Sequence, residues 1–145
     1  MNTILDLTVD GTVYPSLIKD IQRHPVKRNV QHVDFIQGDF TDEAVVGQLL
    51  AWLGDAKFDL VISDIAPNIT GIDSADQASS MYFLELALDT VRKTLKPGAA
   101  FVAKMFQGEG SDAYLKELRR SFDKVSIRKP AASRPESREV YIVAK

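Results

Sequence analysis

The sequence predicts an α/β fold: a central, mainly parallel sheet with helices on both faces, closed by an antiparallel pair of strands at its C-terminal end. Three observations predict it. From Val33 onward, short apolar runs alternate with segments whose apolar residues recur at helical spacing, the pattern of strands joined by crossover helices. The intervening helical segments are long enough for the right-handed crossovers that parallel pairs require. Between the last two apolar runs there is no helix, only the polar loop from Lys129 to Arg138, so those strands are antiparallel.

Taken in order, Val33–Ile36 reads as a short strand ending in Gly38-Asp39-Phe40. Thr41 is placed to cap a helix carrying Val45, Val46, Leu49, Leu50 and Leu53 on one stripe, and Gly54 to end it. Phe58–Ser63 contains Leu60-Val61-Ile62, the unalternated run of a strand buried on both faces. A polar loop from Asn68 to Ala78 precedes a helix with Met81, Leu84, Leu88, Val91 and Leu95 on one stripe, stopped by Lys96-Pro97-Gly98. Ala99–Met105 is a second buried strand, and Ser111 is expected to cap a helix carrying Tyr114, Leu115, Leu118 and Phe122. Strands follow around Lys124–Arg128 and Glu139–Ala144. Before Val33 the pattern changes: Ile4-Leu5-Asp6-Leu7 fits a strand, Val9 to Val13 the tip of a hairpin, and Ser16–Arg23 a short helix. The expectation is one domain over 1–145, with 1–32 an atypical N-terminal segment and no internal repeat.

Composition bounds the function. With 145 residues, 45% hydrophobic and 26% charged, the chain can bury a core without covalent staples. The absence of cysteine excludes disulfides, thiolate metal sites and cysteine nucleophiles, and His24 and His32 are too few to suggest zinc, so no metal is expected. No apolar run approaches the roughly 18 residues that span a bilayer, and Met1-Asn2-Thr3 opens no signal peptide, so the expectation is a cytoplasmic protein with no membrane partner. The net charge of −2 hides an asymmetry. Residues 1–115 hold 9 Lys/Arg against 16 Asp/Glu, whereas 116–145 hold 9 against 4. The basic C-terminal third, with Lys129, Arg134 and Arg138 in its loop, fits a surface that neutralises phosphates, or a solvated helix face beside a guarded edge strand.

In parallel sheets functional groups gather at the carboxyl ends of strands, which here selects Asp39, Asp64 and Lys104. Asp64 stands in Ser63-Asp64-Ile65-Ala66-Pro67-Asn68, where a carboxylate faces a cleft or serves as an ordinary turn residue. Lys104 ends the apolar run Phe101-Val102-Ala103, where a lysine must pair with a carboxylate, give up its proton or reach out to solvent. Glu139 opens the last strand. Together the three make a carboxylate–amine–carboxylate cluster able to orient a hydroxyl and take its proton, with Lys104 the base candidate. The two carboxylates also favour a cationic cofactor. Asp39 is placed to receive a ligand's polar edge or to shape the turn into the next helix.

Four motifs carry a resemblance. Val33-Asp34-Phe35-Ile36-Gln37-Gly38-Asp39-Phe40, Ser63 through Asn68, Lys104-Met105-Phe106-Gln107-Gly108-Glu109-Gly110, and Arg128-Lys129-Pro130 through Ser137-Arg138-Glu139-Val140-Tyr141-Ile142-Val143-Ala144 resemble the FtsJ/RrmJ family. These are S-adenosylmethionine-dependent ribosomal RNA 2′-O-ribose methyltransferases, whose bacterial type modifies a uridine of large-subunit (23S) rRNA. The resemblance covers Val33 to the C-terminus in order. It implies a Rossmann-like methyltransferase fold, S-adenosylmethionine as cofactor, and ribosomal RNA or the large ribosomal subunit as partner. Of the family's Lys-Asp-Lys-Glu tetrad, it assigns Asp64, Lys104 and Glu139 as the last three members. Lys104 would activate the ribose 2′-hydroxyl. Asp39 would correspond to the acidic residue near the cofactor adenine, with Phe40 and Asp64 also at the cofactor. Lys129, Arg134 and Arg138 would face RNA.

The sequence departs from the family pattern at its start. Where Gly-Ala-Ala-Pro-Gly-Gly should follow the first strand, Thr8-Val9-Asp10-Gly11-Thr12 stands, and too few residues precede Val33 for the usual helix and second strand. Neither Lys19 nor Lys27 sits in the motif of the first catalytic lysine. The catalytic half is thus retained and the cofactor half is truncated or rearranged. The alternatives are a non-catalytic RNA-binding or ribosome-assembly protein derived from such an enzyme, and a fragment that needs a partner chain.

Overall fold

The computed structural model describes residues 36, 38–65 and 69–145. The chain divides into two compact units, 1–51 and 52–145, and each is taken by itself. The readings placed before Ile36 lie outside the described residues, as do Ala66, Pro67 and Asn68.

Helix α1 spans Glu43–Leu53 with Val45 and Leu49 buried, as its apolar stripe predicts. Its cap is Asp42 rather than Thr41: the Asp42 carboxylate accepts the Ala44 N–H at 2.9 Å. Thr41 is already committed one step earlier, donating both its N–H (2.8 Å) and its hydroxyl (2.7 Å) to Asp39 Oδ1. Two adjacent Asx-type bonds leave the capping position to the second aspartate.

The second unit runs β1 (Phe58–Ser63), α2 (Asp73–Thr94), β2 (Leu95–Phe106), α3 (Ser111–Ser121), β3 (Val125–Arg128) and β4 (Glu139–Ala144). The sheet order is β1-β2-β4-β3. β1 and β2 are parallel, with Val61 opposite Phe101 and Ser63 opposite Ala103. β4 runs antiparallel to β2 and to β3, so three of the four strands share one direction. The predicted antiparallel pair β3–β4 is present, and β4 also inserts between β2 and β3.

One sheet face is closed. Phe101, Ala103, Met105, Val140, Ile142 and Ala144 are each at most 2% exposed. Both α2 and α3 back this face: Tyr114 of α3 donates its hydroxyl to Leu84 O of α2 at 3.0 Å, and Phe122, just past α3, stacks on Phe101 at 6.3 Å. Burial, opposed by the Arg92 charge and reinforced by Glu85, pushes the Tyr114 phenol far above its ordinary value, so it stays a donor throughout the working range. Arg92 adds an outer clasp between the helices through Ser121 Oγ and Glu117.

Four further expectations are corrected. The segment read as a polar loop to Ala78 is helical from Asp73. Its first turn is polar, so apolar periodicity cannot reveal it, yet Asp73 and Asp76 suit a helix N-terminus. Leu95 begins β2 instead of ending the helix, because the α2 C-cap already has extended backbone (φ −89°, ψ 139°). Ser111 does not cap α3: Gly110 occupies the N-cap at φ +86°, while the Ser111 hydroxyl donates to Gly108 O at 2.7 Å. Finally, β1 is not buried on both faces, since Leu60 is 46% and Ile62 60% exposed. β1 is the outer strand of the described sheet, covered only on the face it shares with Phe101, and an unalternated run alone does not distinguish that setting from a central strand.

Two outcomes follow. Leu118→Ala, at a position with no exposed area, lowers unfolding free energy by about 2–5 kcal/mol in urea titration. Asp76 is held below the ordinary carboxylate range chiefly by the Thr70 N–H, then by the Thr70 hydroxyl and the Gly71 N–H. A depressed carboxyl contributes stability above its unfolded value and loses it as pH falls through the folded one. Asp76→Asn therefore flattens the acid limb of the Tm–pH curve below about pH 4, and an unchanged limb would refute this role.

Candidate active site

The site is built on the other face of β2. Because side chains alternate, Val102, Lys104 and Phe106 share the face opposite Phe101, Ala103 and Met105. In β4 the register puts Tyr141 opposite Lys104, Glu139 opposite Phe106, and Val143 opposite Val102. In β3, Arg128 lies opposite Tyr141 on the same face. Ser63 is level with Ala103, so the next residue, Asp64, comes level with Lys104 just beyond the carboxyl end of β1.

The geometry joins Asp64 and Lys104. Lys104 Nζ lies 2.9 Å from Asp64 Oδ1, with the lysine side chain 13% exposed and the aspartate 64%. The lysine stem is enclosed while its head is held by a carboxylate that remains open to solvent. Phe106 adds a ring 5.9 Å from the same ammonium, within cation–π reach. Glu139 is half-buried on this face, diagonal to Lys104, roughly 7–8 Å away for such positions. It forms no salt bridge among the described residues, so the structure gathers two of the three cluster members into contact and sets the third alongside.

Tyr141 is part of this constellation and was not singled out in the sequence, although strand alternation from Glu139 places it on the same face. Burial pushes its phenol above the ordinary value, reinforced by Asp64 and Glu139 and opposed by Lys104. The phenol thus senses all three proposed catalytic groups. Gln77 is a second residue missed, since it fell within the segment read as loop. Its side chain is buried, its Nε2 donates to Phe106 O (3.0 Å) and Glu109 O (3.1 Å), and its Oε1 has no hydrogen-bond partner among the described residues.

The remaining candidates fall elsewhere. Asp39, in the first unit, shapes the turn into α1 as described, and Phe40 is 3% exposed and serves as a core residue there. Lys129 Nζ donates to Ser137 O at 2.5 Å and so braces the loop that it opens. Arg134 and Arg138 are exposed, with their backbone carbonyls engaged by the Ser137 N–H and the Gln107 N–H respectively. No group of three or more metal-ligating side chains occurs among the described residues, and none of their helices is long and apolar enough to cross a membrane.

The phenol offers a direct check on this arrangement. Asp64→Asn moves the Tyr141 titration midpoint down and Lys104→Met moves it up, read by NMR of ring-labelled tyrosine with Tyr141→Phe as the assignment control. Shifts of the same sign in both variants would contradict the arrangement.

Comparison with known proteins gives the chain its family. The profile of the FtsJ-like methyltransferase family matches residues 4–145. Ribosomal RNA large subunit methyltransferase E of Stutzerimonas stutzeri is 62% identical over 116 residues, which cover 80% of this chain and 56% of that protein. The protein of the same name from Pseudomonas aeruginosa is 52% identical over 117 residues, covering 81% and 56%. The chain thus spans about half the length of the curated relatives it matches. Among solved structures, a ribosomal RNA methyltransferase from Plasmodium falciparum aligns with a TM-score of 0.70 at 22% identity, covering 99% of this chain and 85% of the other. Precorrin 8w decarboxylase from Methanobacterium thermoautotrophicum aligns at 0.53 and 16%, covering 94% and 67%. At these identities the two structures speak for the fold, and with the profile matched over 4–145 the chain belongs to the FtsJ-like methyltransferase family.

Proposed function

We propose that this protein transfers a methyl group from S-adenosylmethionine to a ribose 2′-hydroxyl of ribosomal RNA, a uridine of the large-subunit RNA, acting in the cytoplasm on the RNA or the large ribosomal subunit. The observation that carries the reading is the enclosed Lys104 ammonium paired with an open carboxylate at the ends of two parallel strands. Names of relatives 52–62% identical support the substrate class.

The residues present fit such a methyl donor in their chemistry: Asp64 is an exposed carboxylate, suited to a cationic or hydroxyl-bearing ligand, and Glu139 adds a second on the same face. When bound, S-adenosylmethionine supplies an electrophilic methyl on a sulfonium with a neutral thioether as leaving group. Asp64 is the residue of the second unit that would hold it. Once Lys104 has passed its proton to solvent, its Nζ accepts the ribose hydroxyl proton as that oxygen becomes the nucleophile. Asp64 Oδ1 then holds the resulting ammonium. Glu139 and Tyr141 border the space that the ribose enters, and alignment of the reacting atoms supplies much of the rate. Arg134, Arg138 and Lys129 supply positive charge for flanking phosphates.

Isothermal calorimetry with S-adenosylmethionine, followed by transfer assays on rRNA and on ribosomal subunits, tests the reading. Lys104→Ala lowers transfer by roughly 10²–10⁴-fold, the scale of a lost general base, with the fold intact by circular dichroism. No cofactor binding at millimolar concentration would overturn the enzymatic reading. Charge reversal at Arg134 and Arg138 weakens RNA binding and reduces the salt slope by about one for each phosphate no longer neutralised.

A further inference from the structure

Gln77 sits in the first turns of α2 and is 6% exposed. Its amide reaches the turn that follows β2, giving one proton to Phe106 O at 3.0 Å and the other to Glu109 O at 3.1 Å. Gly108 lies against this amide, and a Cβ there would stand 2.9 Å from Gln77 Cδ. The turn in turn holds β4: Gln107 N–H donates to Arg138 O at 2.8 Å, one step beyond Phe106 opposite Glu139, where the β2–β4 ladder ends. On the other strand the Glu139 N–H is taken by Ser137 Oγ at 3.2 Å. A continuous path of hydrogen bonds therefore runs from α2, through the turn, to the residue preceding Glu139.

That Oε1 has no partner among the described residues decides what kind of residue this is. A leucine or methionine would fill the same space without stranding a buried acceptor, so volume does not account for a glutamine here. The two donated bonds do account for it, because both end on carbonyls of one short turn.

We infer that Gln77 is a positioning residue whose amide locks the end of the β2–β4 ladder and so fixes Glu139 and Tyr141 beside Lys104. That this placement serves methyl transfer rests on the function proposed above; the clamp itself does not.

Two variants of the full chain test it. Gln77→Met keeps length and volume and removes both donors. Gln77→Glu keeps the shape and makes donation depend on protonation. In Gln77→Met, hydrogen exchange at the Gln107 N–H accelerates at least tenfold while α3 amides keep their protection. The Tyr141 phenol titration moves down toward that of a free phenol as the loosened site takes up water. In Gln77→Glu, the buried carboxyl facing two carbonyls favours its protonated form, whose single O–H restores one of the two bonds, so the Gln107 protection factor, corrected for intrinsic exchange, is highest at low pH and falls as pH rises. A methionine variant with wild-type Gln107 exchange and Tyr141 titration would overturn the inference, as would uniform loss of protection that includes α3. Should the methionine variant fail to fold, the glutamate variant decides alone: a Gln107 protection factor, corrected for intrinsic exchange, that stays constant with pH refutes the clamp, and one that falls as pH rises while the wild-type value holds supports it. If the wild-type chain shows the clamp yet binds no S-adenosylmethionine, the functional reading falls and the clamp stands.

Discussion

The second unit depends on the two-sided character of β2. One face carries Phe101, Ala103 and Met105, which bury completely under α2 and α3; the other carries Lys104 between Val102 and Phe106. Large apolar side chains such as Phe101 and Met105 contribute roughly 1.5–3 kcal/mol each when fully buried, so the closed face fixes the strand's rotation about its own axis. With period-two alternation, that rotation leaves Lys104 no choice of side. A register slip by one residue would bury an ammonium under the helices, which the packing opposes by far more than the Lys104–Asp64 pair alone contributes. The placement of the amine is thus paid for by packing energy on the far side of the sheet.

The parallel pairing of β1 with β2 supplies the rest. It brings the end of β1 level with Lys104 and so delivers Asp64 to the ammonium without any long-range loop. Antiparallel β4 then adds Glu139 and Tyr141 from the opposite direction. Three segments distant in the chain converge because each ends, or begins, at the same edge of the sheet.

Much of this was legible in the sequence. Lys104 stood out because an ammonium inside an apolar run needs a partner, and Asp64 because it directly follows another such run. Glu139 could be placed at the start of the last strand but, taken alone, reads as a surface residue, and the structure leaves it beside the ion pair without a salt bridge to it among the described residues. What the pattern concealed has a common cause: polar residues with structural duties. Asp73, Asp76 and Gln77 open a helix whose first turn has no apolar stripe to announce it. Asp42 and Thr41 compete for one cap, and bond geometry decides between them. Leu60 and Ile62 mislead in the other sense, since an apolar run marks a strand without saying how many neighbours it has.

The position of β4 reaches beyond the site. Residues 139–144 follow every other described element in the chain, yet they lie between β2 and β3. While the chain is being synthesised, β2 and β3 each present an unpaired edge, and neither can pair with the other without excluding the strand that belongs between them. The native order of these three strands therefore cannot form until residues 139–144 are available to enter between β2 and β3, and the same entry brings Glu139 and Tyr141 to the site. A sequence change that speeds pairing of β2 with β3 would trap the chain short of its native order, even if it stabilised every contact seen in the finished fold.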